Sequence, residues 1–160
     1  MLKSTAGFTI IELLVVISIL AILSTIGFLS YFNTINKTTT TIVKADFVSI
    51  YKSIAIARLA KQKTFGQITQ NFCSECASCR ASPNVSLDQA CIDDLTASWQ
   101  TISSDLLPRD PWGNPYLWDE NELEGGNCNR DSLRTVGADH LYGTADDIVS
   151  YVPRYICTPP

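Results

Sequence analysis

The sequence has few of the residues on which catalysis and nucleic-acid binding usually depend. Its single histidine is His140, and no Ser-His-Asp, Cys-His or paired-carboxylate arrangement stands out, so we predict that the protein is not an enzyme. Lysine and arginine total 12 against 16 aspartates and glutamates, which gives a net charge of −4 at pH 7. Without a basic excess, binding of nucleic acid through a broad positive surface is disfavoured.

Charge is absent from a long stretch near the start of the chain. No side chain from Leu13 to Phe32 is charged, and a helix of about 20 apolar residues can cross a hydrocarbon core. Glu12 lies at the start of this stretch, where an unpaired carboxylate is costly in a membrane. A signal peptide would have a more basic start and a small-residue cleavage site after its apolar core. A plain membrane anchor would explain the length, but neither Glu12 nor the Gly7-Phe8 junction.

Helical periodicity continues beyond the uncharged stretch. One long helix is expected from Phe8 to about Lys63, because an apolar stripe recurs at steps of three and four residues in its second half, namely Val43, Phe47, Ile50, Ile54 and Arg58. A shorter helix is expected from about Leu87 to Ser103, with Cys91 facing inward. A capping box of Ser86 and Gln89 would start this second helix.

Short strands are expected in the last third of the chain. They are Tyr116–Trp118, Leu133–Val136 and Ile148–Val152, and the last of these alternates apolar and polar residues as a half-buried strand does. The expected fold class is therefore α+β, with the long helix packed on a small antiparallel sheet.

All six cysteines follow the uncharged stretch, namely Cys73, Cys76, Cys79, Cys91, Cys128 and Cys157. In a reducing compartment, the C-x2-C-x2-C spacing of the first three would suggest an iron–sulfur or zinc site. Behind an export segment, disulfides are favoured. The sequence does not choose among the pairings. One pairing joins Cys128 to Cys157, and the other four cysteines would then tie the connecting region at 64–83 to the second helix.

A polar loop at 137–148 carries three carboxylates. Asp139, Asp146 and Asp147 fall within nine residues and are flanked by glycines. Calcium takes about six to eight oxygen ligands and accepts such a mixture of carboxylates and carbonyls. The alternative is a turn in which aspartates bond their own backbone. The spacing alone does not decide between a metal site and such a turn.

The residues Gly7-Phe8-Thr9-Ile10-Ile11-Glu12-Leu13 resemble the class III signal of type IV pilins and type II secretion pseudopilins. The resemblance implies a leader at 1–7, cleavage between Gly7 and Phe8 by a prepilin peptidase, and N-methylation of Phe8. It implies that Glu12 pairs with the free amine of a neighbouring subunit during assembly. It also implies the type IV pilin fold, with a transmembrane or filament-core helix at 8–32 and a globular domain at 33–160 that includes the rest of the long helix.

Two later motifs are similar to those of the major pseudopilins of type II secretion. The turn Asp110-Pro-Trp-Gly-Asn-Pro-Tyr116 is similar to the turn that leads into their sheet. The loop at 137–148 looks like their calcium loop, with His140 where glycine is usual. This similarity implies a structural calcium ion held by the side chains of Asp139, Asp146 and Asp147. The cysteine cluster is usually absent from these pseudopilins.

The resemblance predicts a structural subunit of a type II secretion pseudopilus that polymerises through its N-terminal helix. The alternative is the major subunit of a type IV pilus that serves adhesion, motility or DNA uptake. The implied partners are further copies of the chain, the prepilin peptidase, minor pseudopilins and the inner-membrane assembly platform. The implied location is a single pass in the inner (cytoplasmic) membrane, with the globular domain outside the cytoplasm, followed by a periplasmic or surface filament.

Overall fold

The computed structural model describes residues 7–70, 72–75 and 79–157. Its contacts divide the chain into two units, the first ending at Thr40 and the second beginning at Thr41. Helix α1, Ile10–Lys61, extends through this boundary. The remaining helices and strands belong to the second unit and follow in the order α2 (Phe65–Thr69), α3 (Gln89–Gln100), β1 (Leu117–Asp119), a 3-10 turn (Glu124–Gly126), β2 (Ser132–Thr135) and β3 (Ile148–Tyr151).

In the first unit, the apolar side chains that the structure describes are exposed. The exposed fraction is 77% for Phe8, 56% for Leu20 and 63% for Tyr31, so this part of α1 has an apolar surface that the unit itself does not cover. Among the residues that the structure describes, no helix is both long enough and apolar enough to cross a membrane. The transmembrane or filament-core helix predicted at 8–32 stays a prediction.

The second unit has a core built between α1, α3 and the sheet. The predicted apolar stripe of α1 is buried, and Val43, Phe47 and Ile54 belong to the same cluster as Leu117 and Leu133 of the sheet. Aromatic rings also pack in this core. The ring of Trp118 contacts the rings of Phe65, Phe72 and Trp99. The stripe predicted from the sequence thus identifies the face of α1 that packs.

The three strands form one antiparallel sheet in the order β1-β2-β3. Arg134 of β2 lies opposite Leu117 on one side and Val149 on the other. Along β3, half-buried and exposed residues alternate. The predicted α+β class and the small antiparallel sheet are confirmed, whereas the type IV pilin fold stays a prediction.

Two local predictions need correction. The second helix is shorter than the predicted span of Leu87 to Ser103. It begins at Gln89, because the carboxylate of Asp88 caps it by accepting the Cys91 N–H at 3.1 Å; Asp88 therefore replaces Ser86 as the cap.

The connecting region also contains a short helix that the sequence analysis did not predict. Helix α2 begins with a capping box in which the hydroxyl of Thr64 accepts the Gln67 N–H and the Gln67 side chain accepts the Thr64 N–H. The Thr-x-x-Gln spacing is the signal that could have identified this helix start.

Candidate functional site

The predicted processing and assembly residues lie at the start of α1, in the first unit. Gly7 and Phe8 are exposed, which is the accessibility that a peptidase needs. Glu12 takes part in a second capping box, because its Oε2 accepts the Thr9 N–H at 2.9 Å and the Glu12 N–H bonds the Thr9 hydroxyl at 3.3 Å. The Thr-x-x-Glu spacing was a readable signal that the sequence analysis missed. Glu12 therefore has a role within its own chain, and its pairing with a second subunit stays a prediction.

The three aspartates predicted to bind a metal accept hydrogen bonds from other groups of the same chain. Asp146 Oδ2 accepts the backbone N–H groups of Ala138 at 2.7 Å and Asp139 at 3.1 Å, while its Oδ1 accepts the Thr144 hydroxyl at 2.7 Å. These short bonds hold the pKa of Asp146 below its usual value, with the Thr144 bond the largest cause. Asp146 is thus held as an anion by the loop that contains it.

The two other aspartates are bonded in the same manner. Asp139 Oδ1 accepts the Leu141 N–H at 2.9 Å, which is the self-bonded turn that the sequence left open as the alternative to a metal site. Asp147 Oδ2 accepts the Gly143 N–H at 2.9 Å and the guanidinium of Arg134 at 2.7 Å.

A calcium ion requires several oxygen atoms that converge on one point. Among the described residues, no three side chains of histidine, cysteine, aspartate or glutamate are grouped so that they could hold a metal. The carboxylates of the loop face N–H and guanidinium donors, which suit anions and oppose a cation. The described arrangement therefore does not fit calcium, and calcium binding by Asp139, Asp146 and Asp147 stays an untested prediction.

The motif at 110–116 is bonded directly to the acidic loop. The Asn114 amide donates to Asp110 Oδ2 at 2.9 Å and to the Gly137 carbonyl at 2.7 Å, and a 2.6 Å bond joins Asn114 Oδ1 to His140 Nδ1. Asn114 has no exposed surface. The two motifs that carry the pseudopilin resemblance therefore form one hydrogen-bonded structure.

Backbone conformation explains two residues of this loop. Gly137 has a φ of 70°, and a Cβ atom there would collide with the Asp146 carboxylate. His140, at the position where the resemblance expects glycine, has a φ of 62°. Histidine tolerates this left-handed conformation better than most residues, and its bond to Asn114 holds it there.

A second polar cluster anchors the C-terminal tail and was not predicted. Glu122 accepts the N–H groups of three successive residues, Tyr155, Ile156 and Cys157, at 2.7–3.1 Å. Burial opposes ionisation of Glu122, but these donors and Arg58 outweigh burial and lower its pKa. The tail thus folds back against the turn that carries Glu122.

One disulfide holds the same tail, and another joins the connecting region to α3. Cys128 is bonded to Cys157, and Cys79 is bonded to Cys91 of α3. Cys73 is also in a disulfide, and Cys76 lies outside the described residues. The first two bridges have the form that the sequence analysis offered, with one at the tail and one between the connecting region and the second helix.

Among the described residues, the buried acid Glu120 forms no ion pair. Glu120 is 8% exposed, and burial raises its pKa to about 8 although the Thr69 hydroxyl donates to it. Within the described residues, its second carboxyl oxygen has no hydrogen-bond partner. Ionisation of Glu120 therefore makes the free energy of unfolding depend on pH.

Comparison with known proteins identifies one family. Residues 2–28 match the family described as the prokaryotic N-terminal methylation motif. This match indicates a type IV pilin-like or pseudopilin-type protein, and it implies processing by a prepilin peptidase and assembly into a pilin-type polymer. No curated protein and no solved structure matches the chain.

Proposed function

We propose that this protein is a structural subunit of a type II secretion pseudopilus and that it polymerises through α1 to drive protein secretion across the envelope. The observation that carries the proposal is the methylation motif at 2–28, followed by an apolar helix whose described apolar side chains are exposed in the first unit. Packing of such helices against one another in a filament buries apolar surface, which is a driving force for assembly.

The assignment to a secretion pseudopilus has support from the second unit. The motif at 110–116 and the loop at 137–147, which both resemble regions of major pseudopilins, meet through Asn114. The proposal does not depend on calcium. Before assembly, the subunit would reside at the cytoplasmic membrane with the second unit outside the cytoplasm, and it would encounter minor pseudopilins and the inner-membrane assembly platform there.

A major subunit of a type IV pilus is the alternative. The disulfides Cys79–Cys91 and Cys128–Cys157 favour it, because covalent bridges suit a fibre that is exposed to the surroundings of the cell. Deletion of the gene in the native host separates the two functions. We expect secreted proteins to accumulate inside the envelope while surface filaments persist; loss of surface filaments with normal secretion would select the pilus instead.

Glu12 provides the test of assembly. Glu12→Gln keeps an acceptor for the Thr9 N–H and so keeps the capping box, but it removes the charge that would pair with a neighbouring amine. Thr9→Ala is the matched control, because it removes the hydroxyl of the cap and leaves the charge. We expect Glu12→Gln subunits to be cleaved and methylated but not assembled, and Thr9→Ala subunits to assemble, as measured by mass spectrometry and by shearing of filaments.

Filaments of normal length from Glu12→Gln subunits would exclude a charge-pairing role of Glu12. Absence of cleavage between Gly7 and Phe8 in the wild-type chain would exclude the pilin-like class itself.

A further inference from the structure

We infer that the guanidinium of Arg134 is the counter-cation of the loop at 137–147 and that this loop closes without a metal ion. The inference concerns the second unit alone, and it does not rest on the proposed function. Arg134 takes the role that the family resemblance gives to calcium.

Two carboxylates share the guanidinium of Arg134. Its Nη1 donates to Asp147 Oδ2 at 2.7 Å, and its Nε donates to Glu75 Oε2 at 3.0 Å. The side chains of Asp147 and Glu75 are only 4% and 6% exposed. Carboxylates at this depth need a positive partner, and Arg134 supplies it from the β2 strand, whose backbone is held on both sides by the sheet.

Tyr142 is the second residue of the loop that the guanidinium of Arg134 contacts. Its ring centroid lies 4.7 Å from Arg134 Cζ, which is within cation–π range. The Tyr142 hydroxyl donates to Glu75 Oε2 at 3.1 Å. Arg134 therefore contacts the loop at Asp147, near its end, and at Tyr142, near its middle, as a bound cation would do.

The remaining carboxylates of the loop do not need a cation. Asp146 and Asp139 are satisfied by backbone N–H groups and by the Thr144 hydroxyl. A calcium ion held by these carboxylates would have to approach the positive charge of Arg134, which donates to Asp147. This repulsion opposes metal binding in the arrangement that the structure has.

The cysteine-bearing segment, which is usually absent from these pseudopilins, completes the network. Glu75 lies between Cys73 and Cys76, and the Val85 N–H, just after the connecting region at 64–83, donates to the His140 carbonyl at 3.0 Å. The segment that departs from the pseudopilin pattern thus supports the loop from outside. The two departures from that pattern, an additional cysteine-bearing segment and a loop that does not fit calcium, have one structural explanation.

The test uses the full chain in detergent, with its disulfides oxidised. Its melting temperature is measured with about 5 mM calcium, which saturates the calcium sites of extracellular modules, and again with a chelator. We expect the wild-type melting temperature to be the same in both. Arg134→Met should melt about 5–10 °C lower in chelator, because two buried carboxylates lose their cation. Calcium should then raise its melting temperature by about 3 °C or more, because the acidic pocket is free to bind a metal.

Two variants act as controls. Arg130→Met removes an exposed arginine that precedes the same strand and should melt like the wild type with and without calcium. Arg134→Lys keeps a charge without the two-pronged geometry, and we expect intermediate stability with no response to calcium.

Three results would overturn the inference. They are a wild-type melting temperature that rises with calcium, calcium retained by the wild-type chain after dialysis as measured by elemental mass spectrometry, and an Arg134→Met variant that melts like Arg130→Met. If Arg134→Met does not fold, the two wild-type measurements still decide.

Discussion

The guanidinium of Arg58 and the carboxylate of Asp131 form an ion pair in the interior of the second unit, although 73 residues separate them along the chain. Their side chains are 3% and 1% exposed. Arg58 Nη1 also donates to the Pro153 carbonyl at 2.8 Å, and Asp131 Oδ1 accepts the N–H groups of Asn121 and Glu122 at 2.7 and 2.8 Å. The pair therefore joins α1 to the sheet and to the tail.

Removal of both charges of this pair should cost less than the sum of the losses caused by removing each charge alone. Burial raises the pKa of Asp131 and lowers that of Arg58, and the charge of each residue opposes the effect of burial on the other. We expect Arg58→Met to lower the free energy of unfolding by about 3–5 kcal/mol. The double variant Arg58→Met/Asp131→Asn should lose less than the sum of the single variants, as chemical denaturation of the full chain in detergent would measure. Additive losses would mean that the two residues are not coupled.

The raised pKa of Glu120 predicts that the free energy of unfolding falls as the pH rises from about 4 to about 8. Its pKa in the folded protein is about 8, above the unfolded value of about 4.3. Between these two values the folded state binds the extra proton, so stability falls as pH rises towards 8 and levels off above it.

Glu120→Gln should remove this dependence, because glutamine keeps an acceptor for the Thr69 hydroxyl without a charge. We expect the variant to melt several degrees above the wild type at pH 9 and close to it at pH 5. Glu124→Gln, at an exposed position, is the control and should follow the wild type. Parallel melting curves of Glu120→Gln and the wild type from pH 5 to 9 would contradict a raised pKa.

Asn114 is expected to be the residue through which the 110–116 turn stabilises the acidic loop. Asn114→Ala would leave buried Asp110, the buried Gly137 carbonyl and half-buried His140 each without one hydrogen bond. A buried group left unsatisfied costs about 1–3 kcal/mol, so we expect a total loss of about 2–4 kcal/mol and faster proteolysis of the loop. Asn129→Ala, at an exposed position, should change neither.

The Cys128–Cys157 disulfide should hold the tail. It closes a loop across 29 residues, and bridges of this kind stabilise by about 2–4 kcal/mol. Cys128→Ala/Cys157→Ala should lower the melting temperature and expose the chain to chymotrypsin cleavage after Tyr155, although Glu122 still binds the tail backbone. A tail that stays as resistant as in the wild type would mean that Glu122 alone is sufficient.

Several features of this protein were determined by the sequence itself, because they depend on neighbours along the chain. The apolar stripe from Val43 to Ile54 repeats at the period of a helix, and it identified the buried face of α1. The alternation from Ile148 onward identified a half-buried strand. The Gly7-Phe8 junction with Glu12 identified the pilin-like class, which the match at 2–28 supports. The capping boxes that begin at Thr64 and Thr9 also have local sequence patterns, Thr-x-x-Gln and Thr-x-x-Glu.

Other features were decided only by the tertiary structure, because they join residues that are distant in the chain. The sequence around Asp147 does not show whether its carboxylate pairs with a calcium ion or with Arg134. Only the register of β2 brings the guanidinium to it. Arg58 occupies the last position of the predicted apolar stripe, and only the fold places Asp131 beside its charge. Charges and donors act over a few ångströms in space, so their partners follow from the packing of the chain and not from its order.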